Sequence, residues 1–291
     1  MSAAQESGRH LLPPARQMLQ FDKQRRIQSL RVDRWIDYPR AADALDRLQR
    51  LLDTPRRERM PCMLLHGPSN IGKTLIIAKF LREHPPTFDE GRGAEIRPVI
   101  TMQMPPSPDQ RRFYRALLDV IGVPQGPNAT LASLEQVARD ILKRMAPKML
   151  VVDEVHHLLA GSAREQRASL NLLKYLANEL KMSIVAVGTS DAPVAFQSDV
   201  QIHSRFTPFE LPRWAESPEF RRLLGAFEAA IPLHKPSELT QRSMVQFLAA
   251  ASGGLLGEVA RILVEAAEAA IKDGAEQITL PHLEEAARER K

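Results

Sequence analysis

The feature that most constrains this chain is the segment Gly67-Pro68-Ser69-Asn70-Ile71-Gly72-Lys73-Thr74, which matches the pattern G-x-x-x-x-G-K-[ST] at every fixed position. The apolar run Met63–Leu65 precedes it, and a second apolar stretch begins at Leu75. This order is that of a strand, a glycine-rich loop and a helix. In such an arrangement the main-chain N–H groups of the loop and of the helix start surround a phosphate. We therefore expect a phosphate-binding loop, in which Lys73 reaches the outer phosphates of a nucleoside triphosphate and Thr74 ligates Mg²⁺.

Three further apolar runs have the length of buried strands, at residues 97–102, 149–154 and 183–189. Helical patterns alternate with them, and this alternation predicts a parallel sheet covered by helices on both faces. Beyond Pro212 the strand patterns stop. Four helices are predicted there, over residues 220–230, 242–251, 257–272 and 280–290. The expected organisation is a nucleotide-binding α/β domain at residues 35–212, followed by a smaller all-helical domain at residues 213–291.

The positive charge of the chain is concentrated near its beginning. Residues 1–40 hold eight Lys and Arg against four acids, which accounts for most of the formal net charge of +5. We predict that residues 1–34 form a basic N-terminal arm. Such an arm contacts nucleic acid or an acidic partner, or it is a solvated tail, and composition does not separate these alternatives.

Composition excludes several classes of protein. No apolar run approaches the roughly 18 residues that a membrane-spanning helix needs, and the first residues do not form a basic and then apolar signal sequence. The single cysteine, Cys62, excludes an internal disulfide framework and metal binding by a cysteine pair. We expect a cytoplasmic protein with no membrane contact, and we expect Cys62 to be a small buried apolar side chain.

Two acids end the apolar run at residues 149–154. Asp153 and Glu154 follow Met149–Val152, and the carboxyl ends of parallel strands meet at one edge of a sheet. Asp153 is placed to hold Mg²⁺ through water, and Glu154 to orient and deprotonate a water that attacks the γ-phosphate. Because an enzyme that phosphorylates a small molecule has no need for such a base, the pair favours a nucleoside triphosphatase.

Two more polar residues follow the last strands. Thr189 ends the run at residues 183–189, where its hydroxyl can contact the γ-phosphate or the attacking water. Arg205 comes a short connection later, and an arginine supplied by a neighbouring subunit stabilises charge on the transferred phosphate. A surface salt bridge is the alternative role for Arg205.

A tandem pair, His156-His157, follows Glu154 closely. Helical neighbours one residue apart do not face the same way, and no Cys or third His lies at ligand spacing. We therefore do not expect a zinc site at this pair.

Several segments together resemble the TniB family of AAA+ ATPases, which regulate DNA transposition and are related to the Tn7-type regulator TnsC. They are the phosphate loop, V-V-D-E-V-H-H-L-L-A-G, K-M-S-I-V-A-V-G-T-S-D-A, I-H-S-R-F and F-E-L-P-R-W, in this order. The phosphate loop and the Asp-Glu pair are shared by a very large superfamily, whereas the other segments are more specific. The resemblance covers roughly residues 30–250, and it implies an AAA+ fold, an α/β P-loop domain followed by a helical lid.

The resemblance also assigns roles to residues. The Walker A site is formed by Gly67, Pro68, Ser69, Asn70, Ile71, Gly72, Lys73 and Thr74, and Walker B by Asp153 and Glu154. Thr189 becomes the sensor-1 residue, Arg205 the arginine finger, and Tyr38 and Pro39 part of the adenine pocket. Where related proteins often carry a sensor-2 arginine this chain has Gly257, with Arg261 one turn later, so either Arg261 replaces it or sensor 2 is absent.

The implied cofactors are ATP and Mg²⁺. The implied partners are duplex DNA, an integrase-type transposase and a target-selection protein, and ATP-bound protomers assemble head to tail into a ring or helical filament. The candidate contacts to DNA phosphates are Arg111, Arg112, Lys148, Arg164 and Arg167. The alternatives are a helicase loader or replication-initiator-like ATPase, and a nucleotide-gated adaptor with negligible turnover, against which Glu154 argues.

Overall fold

The computed structural model describes residues 8–91, 93–197 and 204–288. The chain forms two compact units. The first is an α/β unit of residues 43–69 and 73–211. The second is a helical unit, which combines the described part of residues 1–42 with residues 70–72 and 212–288. Residues 70–72 of the phosphate loop thus group with the helical unit.

The α/β unit is built on a parallel sheet of five strands in the order β4-β5-β6-β1-β7. These strands are β1 (Cys62–His66), β4 (Val99–Gln103), β5 (Met149–Asp153), β6 (Ser183–Gly188) and β7 (Phe206–Glu210). A separate antiparallel hairpin consists of β2 (Thr87–Asp89) and β3 (Ala94–Ile96). In the sheet, the strands that follow β1 in the chain, β4 to β6, lie on one side of it, and the last strand, β7, lies on the other. The direction of the connections thus reverses at β1, and ligands commonly bind at the carboxyl end of the strand where this happens.

The central strands are apolar along their whole length because both faces of the sheet are covered. All six residues of β6 are buried, and only the last residue of β1 and of β5 is partly exposed. Cys62 opens β1 with 1% of its surface exposed, and burial raises the pKa of its thiol to about 11. The prediction that Cys62 is a buried apolar side chain is confirmed.

Helices precede β1 and connect the strands that follow it. They are α3 (Pro39–Asp53), α4 (Lys73–Glu83), α5 (Gln110–Val120), α6 (Leu131–Met145), α7 (Ala163–Glu179) and α8 (Ala192–Gln197), with a 3-10 helix at Val155–Ala160. Side-chain caps define several of their starts. Asp109 accepts from the N–H of Arg112, Thr130 caps α6, and Ser162 with Glu165 forms a capping box at α7. These caps fix the directions in which the helices leave the loops.

The helical unit contains two short helices from the beginning of the chain and four from its end. They are α1 (Pro13–Met18), α2 (Lys23–Leu30), α9 (Pro218–Ala230), α10 (Arg242–Ala251), α11 (Leu256–Asp273) and α12 (Leu280–Arg288). The apolar stripe of α11 forms the centre of this unit, and its members Val259, Ile262, Leu263 and Ala266 are fully buried. The four predicted C-terminal helices are therefore present, while residues 289 and 290 of the last one lie outside the described residues.

Several cations of the predicted N-terminal arm have partners within the helical unit. Arg26 is 3% exposed, and its guanidinium donates to both carboxylate oxygens of Glu276 and to the Pro232 carbonyl. Arg31 forms a bidentate pair with Glu268, and Arg34 donates to the carbonyls of Ser29 and Ala230. Arg26, Arg31 and Arg34 are thus paired within the helical unit, a role that the composition did not indicate.

Three further features were not expected from the sequence. Strand β7 buries only Phe206 and Phe209 and contains Pro208, so it lacks the continuous apolar run of the other strands. Its place beside β1, at the edge of the sheet, explains why a proline is tolerated. Helix α6 and the β2–β3 hairpin were also missed, and Ile202 and His203 of the I-H-S-R-F segment lie outside the described residues.

Among the residues that the structure describes, no single helix is both long and apolar enough to cross a membrane. The pair α10 and α11 would qualify together by length and composition alone, and the two helices are bent by 119° at the break between them.

The buried Arg26–Glu276 pair predicts a strong effect on stability. Replacing Arg26 by Met leaves Glu276 with an unpaired, largely buried charge, because the Glu276 side chain is only 14% exposed. We expect the helical unit to lose about 3 kcal/mol or more of unfolding free energy. Both tryptophans, Trp35 and Trp214, lie in this unit, so urea unfolding followed by tryptophan fluorescence measures it.

Arg31→Met is the matched control. It removes an ion pair of the same helical unit, but the Arg31 side chain is 66% exposed. Its carboxylate partner Glu268, which is only 12% exposed, keeps Lys272 as a second partner at 3.7 Å and is not left unpaired. We expect its unfolding curve to stay close to that of the unmodified chain. Equal shifts for the two variants would contradict the distinction between a carboxylate left without its buried partner and one that keeps a second cation.

Candidate nucleotide-binding site

The phosphate loop connects β1 to α4 and has the backbone conformation of an anion-binding turn. Gly67, Asn70 and Gly72 have φ angles of 157°, 61° and 101°, values that side-chain-bearing residues rarely adopt. A Cβ atom on Gly72 would lie 3.0 Å from the Leu256 side chain and 3.4 Å from the Tyr38 hydroxyl. Glycine at position 72 is therefore favoured by the backbone conformation, and a side chain there would press on Leu256. Helix α4 begins at the following residue, as a helix N-terminus that faces a phosphate does.

Lys73 is held inside this loop. Its ammonium group donates to the carbonyls of Gly67 and Pro68, at 2.8 and 2.7 Å. Burial lowers the pKa of Lys73, and the carboxylates of Asp153 and Glu154 oppose that shift. A partly desolvated cation satisfied by main-chain oxygens is ready to exchange those partners for the oxygens of a polyphosphate.

The acidic pair lies where β5 ends. The side chain of Asp153 accepts a hydrogen bond of 2.7 Å from the N–H of Glu154. The pKa of Asp153 is raised, chiefly by burial and also by the neighbouring Glu154 charge. Glu154 has a φ of 56° and is the residue before the 3-10 helix. A non-glycine residue in this conformation is strained, and such residues concentrate at functional sites.

Thr189 follows β6, which lies between β5 and β1 in the sheet. The loop and strand are joined here, since the N–H of Gly67 donates to the carbonyl of Gly188 at 3.3 Å. Thr189 is half-buried, and its carbonyl accepts from the N–H of Ala192. The structure therefore brings the phosphate loop, Asp153, Glu154 and Thr189 to the same edge of the sheet.

Tyr38 and Pro39 belong to the helical unit. The Tyr38 ring is 7% exposed and packs edge-on against Trp214, with ring centroids 5.3 Å apart. Burial raises the pKa of the Tyr38 hydroxyl to about 12. Pro39 is the first residue of α3, where a missing N–H costs nothing.

The two residues considered for sensor 2 have other partners. Gly257 donates its N–H to the carbonyl of Asn70 at 2.8 Å, and a Cβ there would lie 3.2 Å from the Asn70 side chain. Arg261 donates to Glu258, to Glu265 and to the carbonyl of Ala286. The close approach of Gly257 to the phosphate loop explains why this position carries no side chain, and Arg261 is engaged within the helical unit.

Arg205 lies at the opposite end of the strands from the phosphate loop, where the parallel strands begin. It directly precedes β7, its carbonyl accepts from the N–H of Cys62 at the start of β1, and its guanidinium donates to Asn178 at 2.6 Å. Because β1 and β7 run parallel over five residues each, Arg205 is about 16 Å from the edge that carries the phosphate loop. Within one protomer it is therefore far from its own Lys73.

Four of the five candidate DNA contacts lie together. Arg111 and Arg112 are in the first turn of α5, Arg164 and Arg167 are near the start of α7, and all four are exposed. Two contacts show that the helix starts are adjacent. Gln110 donates to the Ala168 carbonyl. Pro108 packs so closely on Gly161 that a Cβ added to Gly161 would lie 2.2 Å from the proline ring. Lys148 precedes β5 at the amino ends of the strands, where its N–H donates to the Pro98 carbonyl. Lys148 therefore does not belong to this patch.

The residues at the phosphate loop fit a magnesium nucleotide. The positive φ values of the loop form a concave array of N–H groups, and the Thr74 hydroxyl is exposed beside it. Thr74 and Asp153 offer the hydroxyl and carboxylate oxygens that Mg²⁺ prefers. When bound, Mg²⁺ neutralises charge on the β- and γ-phosphates.

One polar residue at this edge was missed. His66 ends β1, and its Nδ1 atom is buried without a hydrogen-bond partner. Burial lowers the pKa of His66, with Lys73 adding to the shift and Glu210 opposing it. Such an unsatisfied group next to the phosphate loop is unusual. The only sequence signal was a polar residue between an apolar strand and Gly67, which equally marks an ordinary strand end.

Comparison with solved structures identifies the fold. The Aeropyrum pernix ORC1 protein, solved in complex with DNA, matches with a TM-score of 0.64 and 21% identity, over 91% of this chain and 69% of that chain. The Aeropyrum pernix ORC2 protein, solved as ADPNP–ADP complexes, matches with a TM-score of 0.63 and 15% identity, over 92% and 72%. Cdc6p from Pyrobaculum aerophilum matches with a TM-score of 0.64 and 14% identity, over 90% and 70%. The predicted AAA+ fold, with a parallel sheet flanked by helices and a helical C-terminal part, is confirmed.

Comparison at the level of sequence identifies the family. A search of curated proteins found no match. The family model described as "Bacterial TniB protein" matches residues 26–216, well over half of the chain. This agrees with the resemblance carried by the segments around Walker B and β6, and the chain therefore belongs to the TniB family.

Proposed function

We propose that this protein is a cytoplasmic, ATP-dependent regulator of DNA transposition, which assembles on duplex target DNA and recruits and activates an integrase-type transposase. The observation that carries the proposal is the single sheet edge that holds Lys73, Asp153, Glu154 and Thr189, in a chain of the TniB family. A target-selection protein is proposed as a further partner.

The proposed reaction is hydrolysis of ATP. Lys73 and the N–H groups of the loop bind the phosphates, and Thr74 and Asp153 hold Mg²⁺, Asp153 through water. Glu154 accepts the proton of the attacking water, and Thr189 orients that water or the γ-phosphate. Tyr38 and Pro39 are proposed to line the adenine.

The proposed DNA contact is the patch formed by Arg111, Arg112, Arg164 and Arg167. Their clustering at two adjacent helix starts favours binding to phosphates, since both the guanidinium groups and the helix N-termini attract anions. The patch is also linked to Walker B. The Met104 N–H donates to the Asp153 carbonyl at 2.8 Å, and Met104 begins the loop that leads to Arg111. DNA binding can therefore alter hydrolysis through a short path.

A replication-initiator-like or helicase-loading ATPase is the second candidate, because the solved structures with the same fold are ORC and Cdc6 proteins. Identities of 14–21% support the fold and not the role. Pull-down of the purified protein against a TniB-associated transposase and against a replicative helicase separates the candidates, and capture of the helicase alone would favour loading.

Glu154→Gln tests the hydrolytic role. The substitution keeps the size of the side chain and removes the base, so we expect normal ATP binding, loss of turnover by a factor of 10² or more, and persistent assemblies on DNA. Phosphate release and negative-stain microscopy measure the two effects. Lys73→Ala is the control for the binding step, and it should abolish nucleotide binding. Turnover at the unmodified rate in Glu154→Gln would refute the mechanism.

A mixing experiment tests whether Arg205 acts on a neighbouring subunit. We expect Arg205→Ala to bind ATP but to lose roughly 10³-fold or more in turnover. Mixing it with Glu154→Gln should restore part of the activity, because a Glu154→Gln protomer supplies its Arg205 to the intact Walker site of the other variant. If Arg205 acted within its own protomer, the mixture would stay as inactive as its components.

Arg111→Ala/Arg112→Ala tests the DNA-binding patch. We expect weaker binding to duplex DNA of any sequence, and a salt dependence reduced by about one unit of log–log slope per lost phosphate contact. Fluorescence anisotropy with a labelled duplex and a non-hydrolysable ATP analogue, over a range of salt, measures both. Lys148→Ala removes one exposed cation from the opposite edge of the sheet and should change neither quantity. An equal loss in Lys148→Ala would contradict the proposed interface.

A further inference from the structure

Three side chains next to Walker B converge on one point. The ligand atoms of Glu154, His156 and His157 all lie within 4.8 Å of one another. The two imidazole rings, which the spacing of an α-helix would have separated, have centroids only 4.8 Å apart. Glu154 has left-handed backbone geometry and precedes a 3-10 helix, so residues 154, 156 and 157 do not lie on a regular α-helix. The spacing of an α-helix therefore does not exclude a metal site at these three residues.

The hydrogen bonding of His157 orients its ring as a ligand. Its Nδ1 atom lies 3.0 Å from the Met104 carbonyl oxygen, which can only accept. Nδ1 therefore carries the proton and donates it, and the lone pair is on Nε2. A histidine that binds a metal typically has its other nitrogen fixed in this way by a carbonyl or carboxylate.

His156 provides the second, independent observation. Its Nδ1 atom is buried and makes no hydrogen bond, although it lies 3.1 Å from the Glu154 carboxylate. Ligand atoms that share a tetrahedral zinc ion are about 3.4 Å apart, since each lies about 2.1 Å from the metal. The spacing of this pair is thus close to one edge of a zinc coordination shell, and a metal would satisfy the buried nitrogen.

We propose that Glu154, His156 and His157 form a site for Zn²⁺, with three protein ligands and one open position. Two imidazole nitrogens favour zinc over Mg²⁺, which prefers oxygen ligands. The site is accessible to an ion, because the side chains of His156 and Glu154 are 27% and 43% exposed. A zinc-bound Glu154 cannot accept a proton from water, so occupation of the site inhibits hydrolysis. This inhibition rests on the proposed ATPase function, whereas binding of the metal does not.

Metal binding is measured first, on the full chain without nucleotide. Zn²⁺ is titrated against a chromogenic chelator, and Co²⁺ is added in parallel to record the visible absorption of a tetrahedral site. We expect one tight site per chain, lost in His156→Asn and in His157→Gln, with circular dichroism confirming that the variants are folded. Cys62→Ser is the matched control, because it removes a strong zinc ligand that lies buried elsewhere in the same unit. Absence of a tight site, or a site retained in both histidine variants, would overturn the proposal.

Inhibition is measured second, as the ratio of ATP turnover with and without Zn²⁺ at saturating Mg²⁺. We expect the ratio to fall at least tenfold in the unmodified chain and to stay near one in His156→Asn. The Zn²⁺ concentration that gives half of this inhibition should match the midpoint of the binding curve. A stoichiometric metal that leaves turnover unchanged would overturn the inhibitory role. A chain that binds Zn²⁺ but hydrolyses no ATP under any condition would instead refute the proposed function, so the two failures are distinguishable.

Discussion

The α/β unit depends on one constraint, the parallel pairing of β5, β6 and β1. Parallel strands need long connections and bury both faces, so their interiors are continuous apolar runs and their polar residues are displaced to the ends. Since all three strands point the same way, those ends meet at one edge. The phosphate loop, Asp153, Glu154 and Thr189 are thereby brought together although they are scattered over more than 100 residues of sequence. The same pairing places Arg205 at the other edge.

Burial at this edge creates polar groups that are not fully satisfied. Lys73 has a lowered pKa and holds main-chain carbonyls, the pKa of Asp153 is raised, and buried nitrogens of His66 and His156 make no hydrogen bond. Each of these states is costly in a folded protein without a compensating ligand. They occur together beside a loop shaped for phosphate, and this concentration is what distinguishes the edge from an ordinary strand end. The strained Glu154 lies among them.

In the helical unit, electrostatics and packing serve another purpose. The basic residues at the beginning of the chain are distributed over buried and exposed ion pairs and carbonyl contacts, with Arg26 at the most buried position. A composition rich in arginine was compatible with a DNA-binding arm or a solvated tail. Arginine is also well suited to buried pairs, because its planar fork satisfies a carboxylate and a carbonyl at once, and the Arg26–Glu276–Pro232 arrangement uses that property.

The phosphate loop, the acidic pair, the alternation typical of a parallel sheet, the C-terminal helices and the family could all be predicted from the sequence. These follow from local rules: a loop with fixed glycines, apolar runs of strand length, and helical stripes. Four other features could be seen only in the folded chain. They are the buried ion pair of Arg26, the separation of Lys148 from the four arginines, the edge strand β7, and the convergence of Glu154, His156 and His157. In each of these cases the deciding contact is made by residues distant in sequence, or by a backbone conformation that neighbouring segments impose. Periodicity and composition carry no information about either.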